Sequence, residues 1–153
     1  MATITYDWIA AVSALPLNDV TLAGNQYGPA VAADASGAHY FGAWDQPDMS
    51  FASGRVLNAD ETPVASEFQV NSTTTNLQYD PSVAGLNDGN FVASFTDTSA
   101  DPGGDIRFRR FSGTGAPVGA DVVVDSSASD DQRSDVARLS DGGFVVVFDR
   151  NLG

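Results

Sequence analysis

The chain has 153 residues and a mass of 15.9 kDa, enough for one domain that buries roughly two-thirds of its unfolded surface. Its 20 acidic residues face only 7 basic ones, all arginine, for a net charge of −13. Such a surface argues against nucleic acid and anionic lipid as partners, and the absence of cysteine excludes disulfides and thiolate metal sites.

The first twenty residues carry no Lys or Arg, so this chain lacks the basic start of a signal peptide. The apolar stretch from Trp8 to Leu17 is too short and too interrupted to insert in a membrane. Ile4, Tyr6 and Trp8 alternate with Thr3, Thr5 and Asp7, a strand pattern. Pro16-Leu17-Asn18-Asp19-Val20-Thr21-Leu22 matches Pro63 to Val70 with one residue deleted. Residues 1–24 therefore read as the second half of a repeat.

Residues 25–75 and 76–128 read as two whole repeats, and 129–153 as the first half of another. Gln78-Tyr79-Asp80-Pro81-Ser82-Val83-Ala84 leads through an Asp88-Gly89 turn into Phe91-Val92-Ala93-Ser94-Phe95. The same succession returns with Val136, the turn Asp141-Gly142 and Phe144 to Phe148, each 53 residues later. A looser copy comes earlier, from Gln26 through Val31 and Ser36-Gly37 to Trp44. Asp-Gly between apolar runs predicts a tight hairpin, because both residues tolerate positive φ. A second hairpin follows each first one: Ile106 to Phe111 returns as Ala120 to Asp125, and Arg55 to Leu57 as Glu67 to Asn71. Phe144 to Phe148 is apolar on both faces, which predicts a strand lying between two layers.

The pattern Pro81 to Phe95, then Arg110-Phe111, then Pro117-Val118-Gly119 resembles a repeat family of large secreted bacterial proteins that often accompanies hemolysin-type calcium-binding repeats. The resemblance implies an extracellular or cell-surface setting in a bacterium; the calcium-binding nonapeptides themselves are absent, and Pro102-Gly103-Gly104-Asp105 is only a fragment of one. The fold expected is all-β, with four-stranded antiparallel repeats resembling β-propeller blades, about three per chain, whose two end halves are complementary. A β-trefoil is the alternative. Since propellers usually close with four to eight blades, three imply a pair of chains completing a ring or a piece of a longer propeller, and self-association is expected.

Chemistry is sparse. The single histidine, His39, falls in a turn, the only glutamates are Glu61 and Glu67, and no nucleophile motif is present. A non-catalytic module for adhesion or assembly is the first reading, with an accessory domain of a secreted enzyme further behind. Two candidate sites remain. Calcium takes six to eight oxygen ligands, and two loops offer carboxylates: Asp97, Asp101 and Asp105, then Asp130, Asp131 and Asp135. A glycan site, the second functional reading, would use aromatic and carboxylate pairs at equivalent positions: Trp44 with Asp45, Phe95 with Asp97, and Phe148 with Asp149. Tyr79 joins that set, as does Arg109 in the basic island of Arg107, Arg109 and Arg110.

Overall fold

A computed structural model describes residues 17–18, 25–46, 49–127 and 129–152. These residues form strands and turns, and no helix among them is long and apolar enough to cross a membrane. The strands are β1 (Tyr27–Ala33), β2 (His39–Asp45), β3 (Ala52–Asn58), β4 (Phe68–Gln69), β5 (Gln78–Gly85), β6 (Phe91–Asp97), β7 (Asp105–Phe111), β8 (Pro117–Asp125), β9 (Asp130–Arg138) and β10 (Phe144–Asn151). Each pairs antiparallel with its sequence neighbour inside one of three sheets: β1-β2-β3-β4, β5-β6-β7-β8, and β9-β10. The expected all-β architecture of four-stranded antiparallel sheets is present. The N-terminal alternation at Ile4, Tyr6 and Trp8 lies outside the described residues.

Turn chemistry sets the strand ends. In the β5–β6 turn the Leu86 N–H donates to Asn90 O at 2.7 Å, and in the β9–β10 turn the Leu139 N–H donates to Gly143 O at 2.9 Å. Gly89 and Gly142 hold the matching left-handed position at φ 78° and 94°. The β1–β2 turn is organised by Asp34, whose Oδ1 accepts from the Ser36 and Ala38 N–H groups at 2.9 and 3.2 Å. Its Oδ2 lies 3.0 Å from His39 Nδ1, so the lone histidine braces a turn. In the β7–β8 turn Gly115 supplies φ 82°, whereas the equivalent residue of the preceding repeat is Glu61, at φ 69°.

The sheets stack face on face. Phe41, Ala43, Ala52, Val56 and Val70 of the first repeat form one core with Val83, Phe91, Ala93, Phe95 and Phe111 of the second. Phe41 lies edge-on to Phe91 and Phe111, with ring centroids 5.6 and 5.4 Å apart. Ala84, Leu86 and Val92 form a smaller core with Val136, joined by Phe108, Phe144 and Val146. Every residue of β6 is buried, because it has a sheet on either side. That position was expected for Phe144 to Phe148; instead Phe144, Val146 and Phe148 are half-buried while Val145 and Val147 are exposed. The β9–β10 hairpin is the last layer of the stack, so one of its two apolar faces meets solvent.

The first strand of each sheet carries one irregular step. The β1–β2 register shifts between Tyr27 and Ala30, and the β5–β6 register between Tyr79 and Ser82. Gly28, Asp80 and Arg133 occupy the corresponding left-handed positions, at φ 54°, 53° and 52°. An aspartate pays little for that conformation, but an arginine gains nothing from its side chain there and is strained. The strands that carry these bulges pack in sequence, β1 against β5 and β5 against β9.

Candidate functional site

The repeat builds the same junction twice, and its parts come from fixed positions in each copy. Arg109, on β7, donates from Nε to Gly119 O of its own sheet at 3.0 Å and from Nη1 to Val70 O of the preceding one at 3.2 Å. Arg55, on β3, repeats the pattern: Nε to Ala65 O at 3.4 Å and Nη1 to Leu17 O at 3.1 Å. Each guanidinium thus clamps its own sheet to the segment that precedes it. Leu17 therefore stands where Val70 stands one repeat later, 53 residues on, and not where Val64 stands as the sequence match implied. A Cβ at Gly42 would collide with Leu17 Cδ2, so the missing side chain is what lets this segment lie against β2.

A polar set closes each junction at the strand ends. Between the first and second sheets, Asn71 Nδ2 donates to Gln78 Oε1 at 3.1 Å, and Gln78 Nε2 donates to Asp97 Oδ1 at 3.3 Å. Asn71 Oδ1 also accepts the Ala52 N–H at 3.0 Å. Between the second and third sheets the same three positions hold Asp125, Asp131 and Arg150. Arg150 Nη2 lies 2.6 Å from Asp125 Oδ2, and its Nε lies 2.9 Å from the buried Asp131 Oδ1. These bonds raise the Arg150 pKa, Asp131 first and Asp125 second. The Ser127 N–H and then Arg150 hold Asp125 below the usual carboxylate range.

This geometry redistributes the expected carboxylates. Asp97 is fully buried, and its Oδ2 lies 2.8 Å from Arg107 Nε. Asp45 pairs across the sheet with Tyr27, but Tyr79 pairs with Thr96, so the residue equivalent to Asp45 and Asp149 is Thr96. Asp97 sits one place further, level with Gln46 and Arg150. Asp105 is opposite Asp97 on β7, and burial raises its pKa against the opposing pull of Arg107. Asp101 accepts the Gly103 N–H at 2.9 Å in a turn. Asp130 is exposed, while Asp135 accepts from Ser82 Oγ at 2.6 Å. Among the described residues no three His, Cys, Asp or Glu side chains converge as a metal-holding group.

The aromatic partners are mainly structural. Phe95 is wholly buried and Trp44 nearly so, its indole Nε1 lacking an acceptor among the described residues. Phe148 is half-buried, and the Arg150 guanidinium lies 5.4 Å from its ring centre. Arg109 is committed to the clamp and lies 3.7 Å from Asp121.

Asp45, Tyr79 and Asp149 do meet one region, the rim beside the three bulges. Asp45 is buried there, its Oδ2 accepting the Asp80 N–H at 3.3 Å while its Oδ1 has no partner among the described residues. Burial pushes its pKa up to about 7, the Asp80 N–H opposes the rise, and the Asp80 carboxylate adds to it. Burial likewise raises the Tyr79 pKa, helped by Asp80. A shallow hollow of about 270 Å³ is lined by Gly28, Pro29, Asp80, Pro81, Arg133 and Ser134. A larger one, about 390 Å³, is lined by Asp130, Gln132, Arg133, Asp149, Arg150 and Asn151.

Sequence reasoning missed the amides Asn71 and Gln78 and the burial of Asp131. The faint signal was positional: Asn18, Asn71 and Asp125 recur at 53 and 54 residues, as do Gln26, Gln78 and Asp131 at 52 and 53. No family model matches the sequence, and neither a curated protein nor a solved structure matches it.

Proposed function

We propose that this chain is a non-catalytic repeat module for adhesion or assembly that works by adding a further sheet to its stack. The observation that carries this reading is the outer face of β10. Val145 and Val147 are exposed, whereas the residues at their positions one and two repeats earlier, Val92 and Ser94, then Phe41 and Ala43, are buried under the next sheet. An exposed face of junction pattern is the mark of an interaction surface.

The consecutive four-stranded meanders, stacked face to face, support propeller blades over a trefoil. The resemblance of the repeat to those of large secreted bacterial proteins supports work outside the cell. Beads coated with the chain test the reading. They are expected to adhere to one another or to bacterial cells, and to lose adhesion with the double substitution Val145→Asp and Val147→Asp. Adhesion unaffected by that pair would contradict it.

The rim gives a second reading, a glycan-binding module. Two carboxamides, two guanidiniums and two carboxylates line the larger hollow, a donor and acceptor set suited to sugar hydroxyls. A glycan array with the Asp149→Ala variant as control tests it; equal signals from both proteins would contradict it.

A further inference from the structure

We propose that a second copy of this chain fills the open junction head to tail, with Val31 of one copy seated against Val145 and Val147 of the other. This rests on the assembly reading and names its partner. The argument comes from residues that share a position in successive repeats. Val31, Val83 and Val136 are such a set, each on the first strand of its sheet and facing Gly42, Ala93 and Val146 across the hairpin. Val83 is 7% exposed and Val136 5%, because each packs on the sheet before it; Val31 is 69% exposed.

The other half of the junction behaves in the same way. Val83 shares a core with Phe41, and Val136 shares one with Val92. The residue at the position of Phe41 and Val92 in the last sheet is Val145, which is 42% exposed, with Val147 beside it at 57%. The described residues therefore show both halves of a junction that the chain already makes twice: an exposed first-strand valine and an exposed floor. The two halves lie at opposite ends of the stack, separated by both completed junctions. A second copy supplies the matching half to each.

The Arg55 clamp supports the same direction. By holding Leu17 at the position of Val70, it prepares the first sheet to be preceded by another of the same kind. The strands equivalent to β10, namely β2 and β6, are hydrogen-bonded to a strand on each edge, and among the described strands β10 pairs with β9. A head-to-tail contact of this type closes into a ring where the rotation allows and otherwise extends.

Light scattering on a sizing column, from low micromolar to near-millimolar chain, tests the proposal. The native chain is expected at two or more copies. Val31→Asp and Val147→Asp are each expected at the mass of one copy, with far-ultraviolet circular dichroism unchanged; Val31→Ser serves if the aspartate disturbs folding. An equimolar mixture of the two aspartate variants keeps one sound half from each and is expected to associate again, more weakly than the native chain. Association that survives Val31→Asp but not Val147→Asp overturns the head-to-tail pairing while leaving the assembly reading intact. A native chain that is monomeric throughout overturns the second-copy proposal, and adhesion of the coated beads then decides the assembly reading separately.

Discussion

The two completed junctions occupy the same positions and are filled with different chemistry. The first is large and apolar, with an end closed by two amides and a carboxylate: Phe68, Phe91 and Phe111 meet around Phe41, and Asn71, Gln78 and Asp97 close the end. The second is smaller, with the Phe108–Phe144 pair at 5.0 Å and an ionic end formed by Asp125, Asp131 and Arg150. What the two junctions share is geometry: a first-strand valine and a three-residue polar end. The side chains that fill this frame decide how firmly each layer is held, and the last layer is expected to be held least.

The sharpest way to break the comparison is to empty its apolar side. Phe41→Ala removes a wholly buried ring and is expected to cost about 3–5 kcal/mol. Phe144→Ala, from the half-buried ring of the second junction, should cost about 1–3 kcal/mol, since less area leaves contact. Urea unfolding of the two variants measures both. Equal losses would mean that the two junctions hold alike.

The Asp45 carboxyl makes the first junction sensitive to pH. Its folded pKa of about 7 lies above the ordinary value of 3.8, so the folded chain keeps a proton that the unfolded chain releases. Its contribution is complete below about pH 4, is lost as pH rises toward 7 and stays lost above. The span corresponds to a few kcal/mol, about 1.4 for each unit. Asp45→Asn is expected to flatten melting temperature across that window and to raise it at pH 8. An unaltered pH profile in the variant would show that another group sets it.

The ionic end of the second junction calls for a local probe. Arg150→Gln leaves the buried Asp131 carboxylate without its cation, a change that destabilises through the stranded charge. Amide hydrogen exchange is expected to quicken in β9 and β10 while β1 to β6 keep their protection. Uniform quickening would show that the stack opens as one unit. The smallest expected effect is a gain. Glu61 holds the left-handed place that Gly115 holds one repeat later, and Glu61→Gly should relieve about 1 kcal/mol of strain, read as a higher urea midpoint.

Much of this frame was legible in the sequence, and the reason is local. Gly89 and Gly142 mark turns because tight hairpins need positive φ, and alternating Phe91, Ala93 and Phe95 mark a buried face because a strand has period two. Arg55 and Arg109 announced an equivalence by spacing alone. The equivalence of Asp97 with Asp45 failed by one residue, since no alternation reveals which of two adjacent polar residues ends a strand. Asp131 looked like part of an acidic loop because its cation, Arg150, lies 19 residues away on another strand. The exposure of Val145 and Val147 was illegible too: a strand apolar on both faces carries the same letters whether or not a further layer covers it.

The central claim is that Val31 and the Val145–Val147 face are two halves of one junction. The chain has no cysteine, so Val31→Cys and Val145→Cys can be joined selectively with a short bis-maleimide that spans the roughly 10 Å between packed sheets. Placed on separate copies and mixed, the two variants are predicted to give a covalent product of twice the chain mass, far above the yield of either variant alone. Cross-linking of the mixture no better than that of the single variants would contradict the account.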